Sequence, residues 1–409
     1  LTLNPYSSDF IIRKAELYLH KKKYTEAHAW LDKAALFDAR EIDIYLVRAD
    51  IFMETNKLPE ALATLNEALE LADESEKEYV YLEMSHVYEM EEDYDKALEY
   101  IMTALELNHD NMDVLQDIAH LVDMTDKYDE SIVLHKKIID KNPYSWLAWY
   151  NLGRAFTGVN LYEKAMECFE YCIAIQDDFE YVYREAADVY YRIEDFKNAI
   201  EMFEQAQHHA PEFDDYSYRI GLCYERMAEY KLARFHFRKA TRNDPYLDEA
   251  YFRIAETYRI EERYDVALVN YKKAFKLDEQ NELYLTTLIN VYRALENDDE
   301  VISYMYALVY SKPDVLTYWV EIIQFLYTTK NYEEALDVCA EAIVRCGNFA
   351  EFLFLKSIVL FKTGKEREAI NTLENALIHD YARHTILLQT DEEFYYHPKV
   401  KQVIELYAR

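Results

Sequence analysis

The sequence predicts an all-α solenoid of antiparallel helix pairs. Three observations carry that prediction. A pattern of residue sizes returns every 34 residues along most of the 409-residue chain. Within each period the apolar residues fall at helical spacing on two successive stretches. Five glycines and seven prolines are too few for a sheet protein or a Gly-rich phosphate loop, and they suit helices joined by tight turns.

The period is clearest from Trp149 to Ala206. Trp149, Leu152, Gly153, Phe156, Tyr162, Ala165, Phe169 and Cys172 form one frame, and Tyr183, Ala187, Tyr190, Phe196, Ala199, Phe203 and Ala206 repeat it. The small residue early in the second helix falls at Ala27, Ala61, Ala97, Ser131, Ala165, Ala199, Ala233, Ala267, Val301, Ala335 and Ala369. This frame resembles the tetratricopeptide repeat, a 34-residue helix–turn–helix. The resemblance covers residues 8–383 in eleven units. It implies one α-solenoid, a right-handed superhelix whose concave groove holds a peptide or helix of a partner protein.

In chain order, residues 1–7 are a lead-in and the first repeat runs from about Ser8 to Glu41. The second places Pro59 near the start of its second helix, where the missing N–H does no harm. Asp73 to Glu78 absorbs the one insertion. The fourth repeat departs from the pattern, with Val122, Ser131, His135 and Ile138 in slots held elsewhere by aromatic or small residues. Repeats five to eight match best. Asn142-Pro143, Ala210-Pro211, Asp244-Pro245 and Lys312-Pro313 close their units, because proline stops a helix. The ninth is degenerate at Ile289, Asp298, Val301 and Leu308. Larger residues in small slots predict wider helix spacing in repeats four and nine. Residues 384–409 leave the frame. Val400, Val403, Ile404 and Tyr407 make an amphipathic helix there, as a cap over the last repeat requires.

Net charge is −33, which argues against nucleic acid and anionic membrane as partners. Residues 1–145 carry 15 basic and 32 acidic groups. Five cysteines at irregular spacing predict neither disulfides nor a metal site, and point to a reducing, cytoplasmic compartment. No apolar run reaches 18 residues, so no membrane insertion is expected. The chain begins Leu-Thr-Leu without methionine, so an upstream piece is expected. No catalytic motif, metal or cofactor site is found, and the chain is read as no enzyme.

Within each unit, the first helix (helix A) presents positions 4, 7, 8 and 11 to the core and positions 2, 5, 6, 9, 12 and 13 to the other side. The resemblance assigns that other side to the groove. In repeats one to four it is acidic, with Asp50, Glu83, Asp117 and Asp123 among its residues. From repeat five it mixes arginine with aromatics, the composition of a protein-recognition surface. The partner-binding residues chosen are Tyr150, Asn151, Arg154, Arg184, Asp188, Tyr191, Arg192, Tyr218, Arg219, Phe252, Arg253, Arg259 and Arg293. Most of these arginines have an acid three or four residues away, for instance Arg219 with Asp215 and Arg259 with Glu256, and such pairs need no ligand. Arg154 has none, which singles it out as a ligand contact. The carboxylate clamp of chaperone-binding relatives, aligned on Asn151, meets Gln116, His120, Tyr181 and Glu185 in its other places, so no chaperone tail is expected. His86 and His120 occupy the same position in successive repeats, where a facing pair would form a pH switch or metal pair.

The function read from this is a non-catalytic scaffold that binds a protein or peptide. A self-assembling homo-oligomer is the alternative, and the regulatory arm of an enzyme whose catalytic part lies upstream is another.

Overall fold

A computed structural model describes residues 7–109, 111–210 and 215–408. The lead-in at 1–6, Pro211 and the side chain of Asp215, the expected partner of Arg219, lie outside the described residues. The chain is all-α among the described residues and forms an α-solenoid of helix pairs.

Repeat one pairs α1 (Ser8–His20) with α2 (Tyr24–Ala35), and repeat two pairs α3 (Ile42–Glu54) with α4 (Leu58–Leu71). There follow α5 (Lys77–Met90) with α6 (Tyr94–Leu107), α7 (Met112–Thr125) with α8 (Tyr128–Lys141), and α9 (Trp146–Gly158) with α10 (Tyr162–Ile175). Next come α11 (Glu180–Arg192) with α12 (Phe196–His209), α13 (Asp215–Arg226) with α14 (Tyr230–Asn243), and α15 (Asp248–Ile260) with α16 (Tyr264–Leu277). The last repeats are α17 (Glu282–Ala294) with α18 (Asp298–Ser311), α19 (Leu316–Thr328) with α20 (Tyr332–Arg345), and α21 (Ala350–Lys362) with α22 (Glu366–His379). A 3₁₀ turn (Tyr381–His384) leads into α23 (Thr385–Thr390), α24 (Glu392–Tyr395) and α25 (Pro398–Tyr407). By their internal contacts the helices cluster into two compact units, residues 1–216 and 217–409.

The repeat slots build the core. All eleven small-slot residues from Ala27 to Ala369 are buried, because two helices cross there and leave room only for a side chain no larger than the valine of repeat nine. Facing them, position 8 of helix A and position 24 of helix B trade volume. Gly153 lies under Phe169 and Gly221 under Phe237, where a Cβ would come within 2.4 and 2.6 Å of the ring. In repeat ten the larger Ile323 is matched by the small Cys339.

The turn between the two helices of each repeat is left-handed at one residue. Lys22, Asn56, Glu92, Asp126, Asn160, Glu194, Ala228, Glu262, Glu296 and Lys330 all have φ between 53° and 64°, and the eleventh repeat has Gly364 at 78°. The N–H of that residue and of the next close the helix end, as when Asn160 donates to Thr157 at 3.0 Å and Leu161 to Phe156 at 2.8 Å. This is the two-bond motif that satisfies the last carbonyls of a helix. A non-glycine residue there costs about 1–2 kcal/mol, offset in part by glycine's greater chain entropy. Ala228 is exposed, so its side chain loses no packing on removal. Ala228→Gly is therefore expected to raise stability by about 1 kcal/mol, read as a higher urea midpoint. A lower midpoint would contradict the assignment of strain to this turn.

The link between repeats is fixed by position 4 of helix A. The Trp149 and Trp319 indoles donate to the carbonyls of Pro143 and Pro313 at 2.9 and 2.8 Å. The hydroxyls of Tyr45 and Tyr183 reach the carbonyls of Ala39 and Asp177 in the same way, each at 2.9 Å. The insertion forms a self-contained turn, with the Asp73 carboxylate accepting from the Ser75 and Glu76 amides at 2.8 and 3.1 Å.

Repeats four and nine differ in their response to large slot residues. Helices α7 and α8 touch each other far less than the A–B pairs of the neighbouring third and fifth repeats do. In repeat nine α17 and α18 stay as close as the helices of the regular tenth repeat, against the expectation of widening. There Met305 stands in the slot that holds Phe169 in repeat five, and Ile289, Val301 and Leu308 use the volume released. At the C-terminal end α23 packs on α21 and α25 on α22. Val400, Val403, Ile404 and Phe394 are buried there, and Lys362 pairs with Asp391 at 3.0 Å.

Candidate functional site

Positions 2, 5, 6, 9, 12 and 13 of the A helices lie along one side of each unit. Charge on that side pairs along single helices, as in Arg13 with Asp9 and Arg259 with Glu256, and also between repeats. A residue 31 places ahead lies one repeat on and three positions back, beside the first on the neighbouring helix.

In the unit 1–216, Arg154 on α9 is held from both sides. Its guanidinium pairs with Asp123 of α7, and its Nε lies 3.9 Å from Glu185 of α11. The expectation that Arg154 stands free of carboxylates is thus corrected, because its acids come from the repeats on either side. Tyr150 and Asn151 are buried. Tyr150 packs on Phe169 and Phe179, and burial pushes its phenol well above the usual range. Asn151 Nδ2 donates to the Leu115 carbonyl at 2.6 Å, tying α9 to α7. Both side chains face the helix contacts and not an open surface. Arg184 lies 3.6 Å from Glu185 and over the Tyr181 ring at 4.9 Å. Asp188 is half-buried, and Tyr191 packs edge-on against Phe196 at 5.5 Å. Arg192 is exposed and shares with Arg154, Asp123, Tyr128 and Glu185 a polar cleft of about 290 Å³.

His86 and His120 do not form a pair among the contacts of this face. His86 bridges Asp117 of α7 at 3.1 Å and Glu83 at 3.4 Å, which pushes its imidazole up to about 10. His120 lies 3.4 Å from Glu89 of α5. His86 acts as the cation between two acidic helices. Among the described residues no cluster of three or more His, Cys, Asp or Glu is arranged to hold a metal. Cys168, Cys172, Cys339 and Cys346 are free thiols.

In the unit 217–409, the Tyr218 hydroxyl donates to Glu249 at 2.9 Å, and Arg253 lies 3.6 Å from Glu225. Arg219 is half-buried on α13. Phe252 is buried against Tyr284 and Tyr271, with ring centres 5.0 and 5.5 Å away. The expected same-helix partner of Arg259 is realised, with Glu256 at 2.7 Å. Tyr271 donates to the same carboxylate. Arg293 is exposed and lies over the Phe325 ring at 5.5 Å. Phe252, Arg253, Glu256, Arg259 and Asn290 line a cleft of about 440 Å³ between α15 and α17. Tyr264, Leu283 and Thr287 of that cleft were not singled out by sequence position.

Family models agree with the repeat frame. Tetratricopeptide-repeat models match residues 184–248, and also 79–111, 147–179 and 248–281. A Caenorhabditis elegans protein, tetratricopeptide repeat-containing protein trd-1, is 27% identical over 96 residues, 23% of this chain. The match covers 12% of that protein's length. Among solved structures, MamA is 22% identical, with 40% of this chain and 96% of that chain covered and a TM-score of 0.38. YrrB, a TPR protein with an unusual peptide-binding site, is 19% identical, with 46% and 98% covered and a TM-score of 0.40. No helix among the described residues is long and apolar enough to cross a membrane.

Proposed function

Because the chain is a tetratricopeptide-repeat protein, we propose that it is a non-catalytic scaffold that holds a segment of a partner protein along its helix-A side. One observation carries this reading. In repeats eight and nine an arginine pair, a buried aromatic and Asn290 converge on one open cleft of about 440 Å³. Arginine and aromatic side chains supply most of the energy at protein interfaces, since they combine large contact area with directional polar groups. The carboxylate of Glu256 beside them leaves a cleft of mixed sign, suited to a segment carrying side chains of both charges. The free thiols of Cys168, Cys172, Cys339 and Cys346 support a reducing compartment such as the cytoplasm.

Arg192, Arg259 and Arg293 are exposed, so replacing all three by alanine leaves the core intact. Affinity capture from the native lysate is expected to lose the bound partner at least tenfold in that variant, with helical content unchanged. Raising salt is expected to weaken capture by the wild type. Undiminished capture by the folded triple variant sinks the reading.

A further inference from the structure

We propose that the first three repeats form a separate docking cleft for a basic, amphipathic segment of a partner polypeptide, one that presents a large apolar side chain flanked by lysine or arginine. The proposal rests on the scaffold reading above and names the partner chemistry of its N-terminal part. The cleft, about 680 Å³, lies within the unit 1–216. Leu19 of α1, Met53 of α3 and Met90 of α5 supply its apolar surface, and Met90 is 48% exposed. Methionine fits irregular apolar partners because its side chain is unbranched and polarizable.

Charge complementarity selects the occupant. Asp50 and Glu54 stand in the cleft beside the apolar residues. Asp50 is surrounded by Glu83, Glu16 and Glu54, with His86 as the cation near it. Burial first, and then those carboxylates, push Asp50 up to about 7. His86 is already engaged by Glu83 and Asp117, so it leaves the acidic excess in place. The exposed His20 and Lys22 also line the cleft, one lysine against the two carboxylates of Asp50 and Glu54. A lysine or arginine beside Asp50 would replace missing countercharge, while its apolar neighbour covers Met53 and Met90. An acidic or purely polar segment gains neither.

The probe is a fluorescein-labelled fourteen-residue peptide of lysine and leucine in amphipathic helical order. Two relatives accompany it, one with glutamate for lysine and one with serine for leucine. Anisotropy at about 0.15 M salt, where distant charges are screened, is expected to show binding of the first and at least tenfold weaker binding of the others. Asp50→Asn and Met90→Ser are each expected to raise Kd at least fivefold. Glu67→Gln removes one exposed charge on α4 outside the cleft and is expected to change Kd less than twofold. Equal losses in Asp50→Asn and Glu67→Gln would mean general attraction to an acidic chain and would overturn the proposal. Equal binding of the serine peptide would do the same. The Arg192, Arg259 and Arg293 triple variant is expected to bind the probe as the wild type does. Failure of the scaffold reading at those arginines is therefore scored separately from failure here.

Discussion

Gly153→Ile is expected to destabilise repeat five by at least about 3 kcal/mol, and Phe169→Cys is expected to restore most of the loss. A Cβ on Gly153 meets the Phe169 ring at 2.4 Å, and that ring is fully buried and has nowhere to go. Isoleucine adds three further carbons into the same contact. Phe169→Cys alone leaves a cavity and costs about 3 kcal/mol. The two changes together rebuild the pairing that repeat ten already uses, Ile323 with Cys339, both fully buried. The measurement is hydrogen exchange of α9 and α10 amides in the three variants, since a repeat array opens locally and one global midpoint averages the effect. A Gly153→Ile variant as protected as the wild type removes the premise of steric conflict. Additive losses in the double variant remove the premise of exchanged volume.

That pair shows what the sequence discloses and what it does not. Slots that recur every 34 residues are each constrained by two helices crossing at fixed distance, so residue size repeats and the register can be read directly. Volume exchange between positions 8 and 24 is readable for the same reason. The left-handed turn at Lys22, Asn56, Ala228 and their equivalents was hidden, because ten of eleven repeats place a non-glycine residue there. Surrounding packing overrides the local preference. The polar side was harder still. Pairing rules within one helix look three and four residues away, and they left Arg154 apparently alone. Its carboxylates, Asp123 and Glu185, lie 31 residues before and 31 after, on the adjacent A helices. His86 with Asp117 and His120 with Glu89 obey the same inter-repeat spacing. A search at that spacing, once the period is known, finds these pairs. It does not find Asn151, whose buried amide serves a backbone carbonyl of the preceding repeat. Which polar residues hold helices together, and which remain for a partner, depends on exposure that periodicity does not encode.

The fourth repeat carries the second large effect. Its His135 is fully buried in the slot filled by Phe169 one repeat later. Nδ1 lies 2.8 Å from the Ser131 carbonyl and 3.2 Å from the Ser131 hydroxyl, while Nε2 has no partner. Burial pushes the imidazole down to about 4, so the folded chain holds it neutral. The unfolded chain takes up a proton near 6.5. As pH falls from about 6.5 to 4, the unfolded state therefore binds more protons than the folded one, and stability drops by about 3 kcal/mol. Below 4 both states are protonated and the loss levels off. His135→Leu removes this term together with the unpaired Nε2, whose desolvation costs about 1–3 kcal/mol. The loss of the Ser131 contact returns about 1 kcal/mol of that gain. Urea unfolding of repeats three to five, followed by α8 amide exchange at pH 7 and 5.5, checks the difference between the two proteins. Titration of the many carboxylates is common to both and cancels. The wild type is expected to lose about 1 kcal/mol more than the variant over that interval. Equal slopes would mean that His135 gains a proton without opening the repeat, and that its neutral burial does not limit the stability of repeat four in acid.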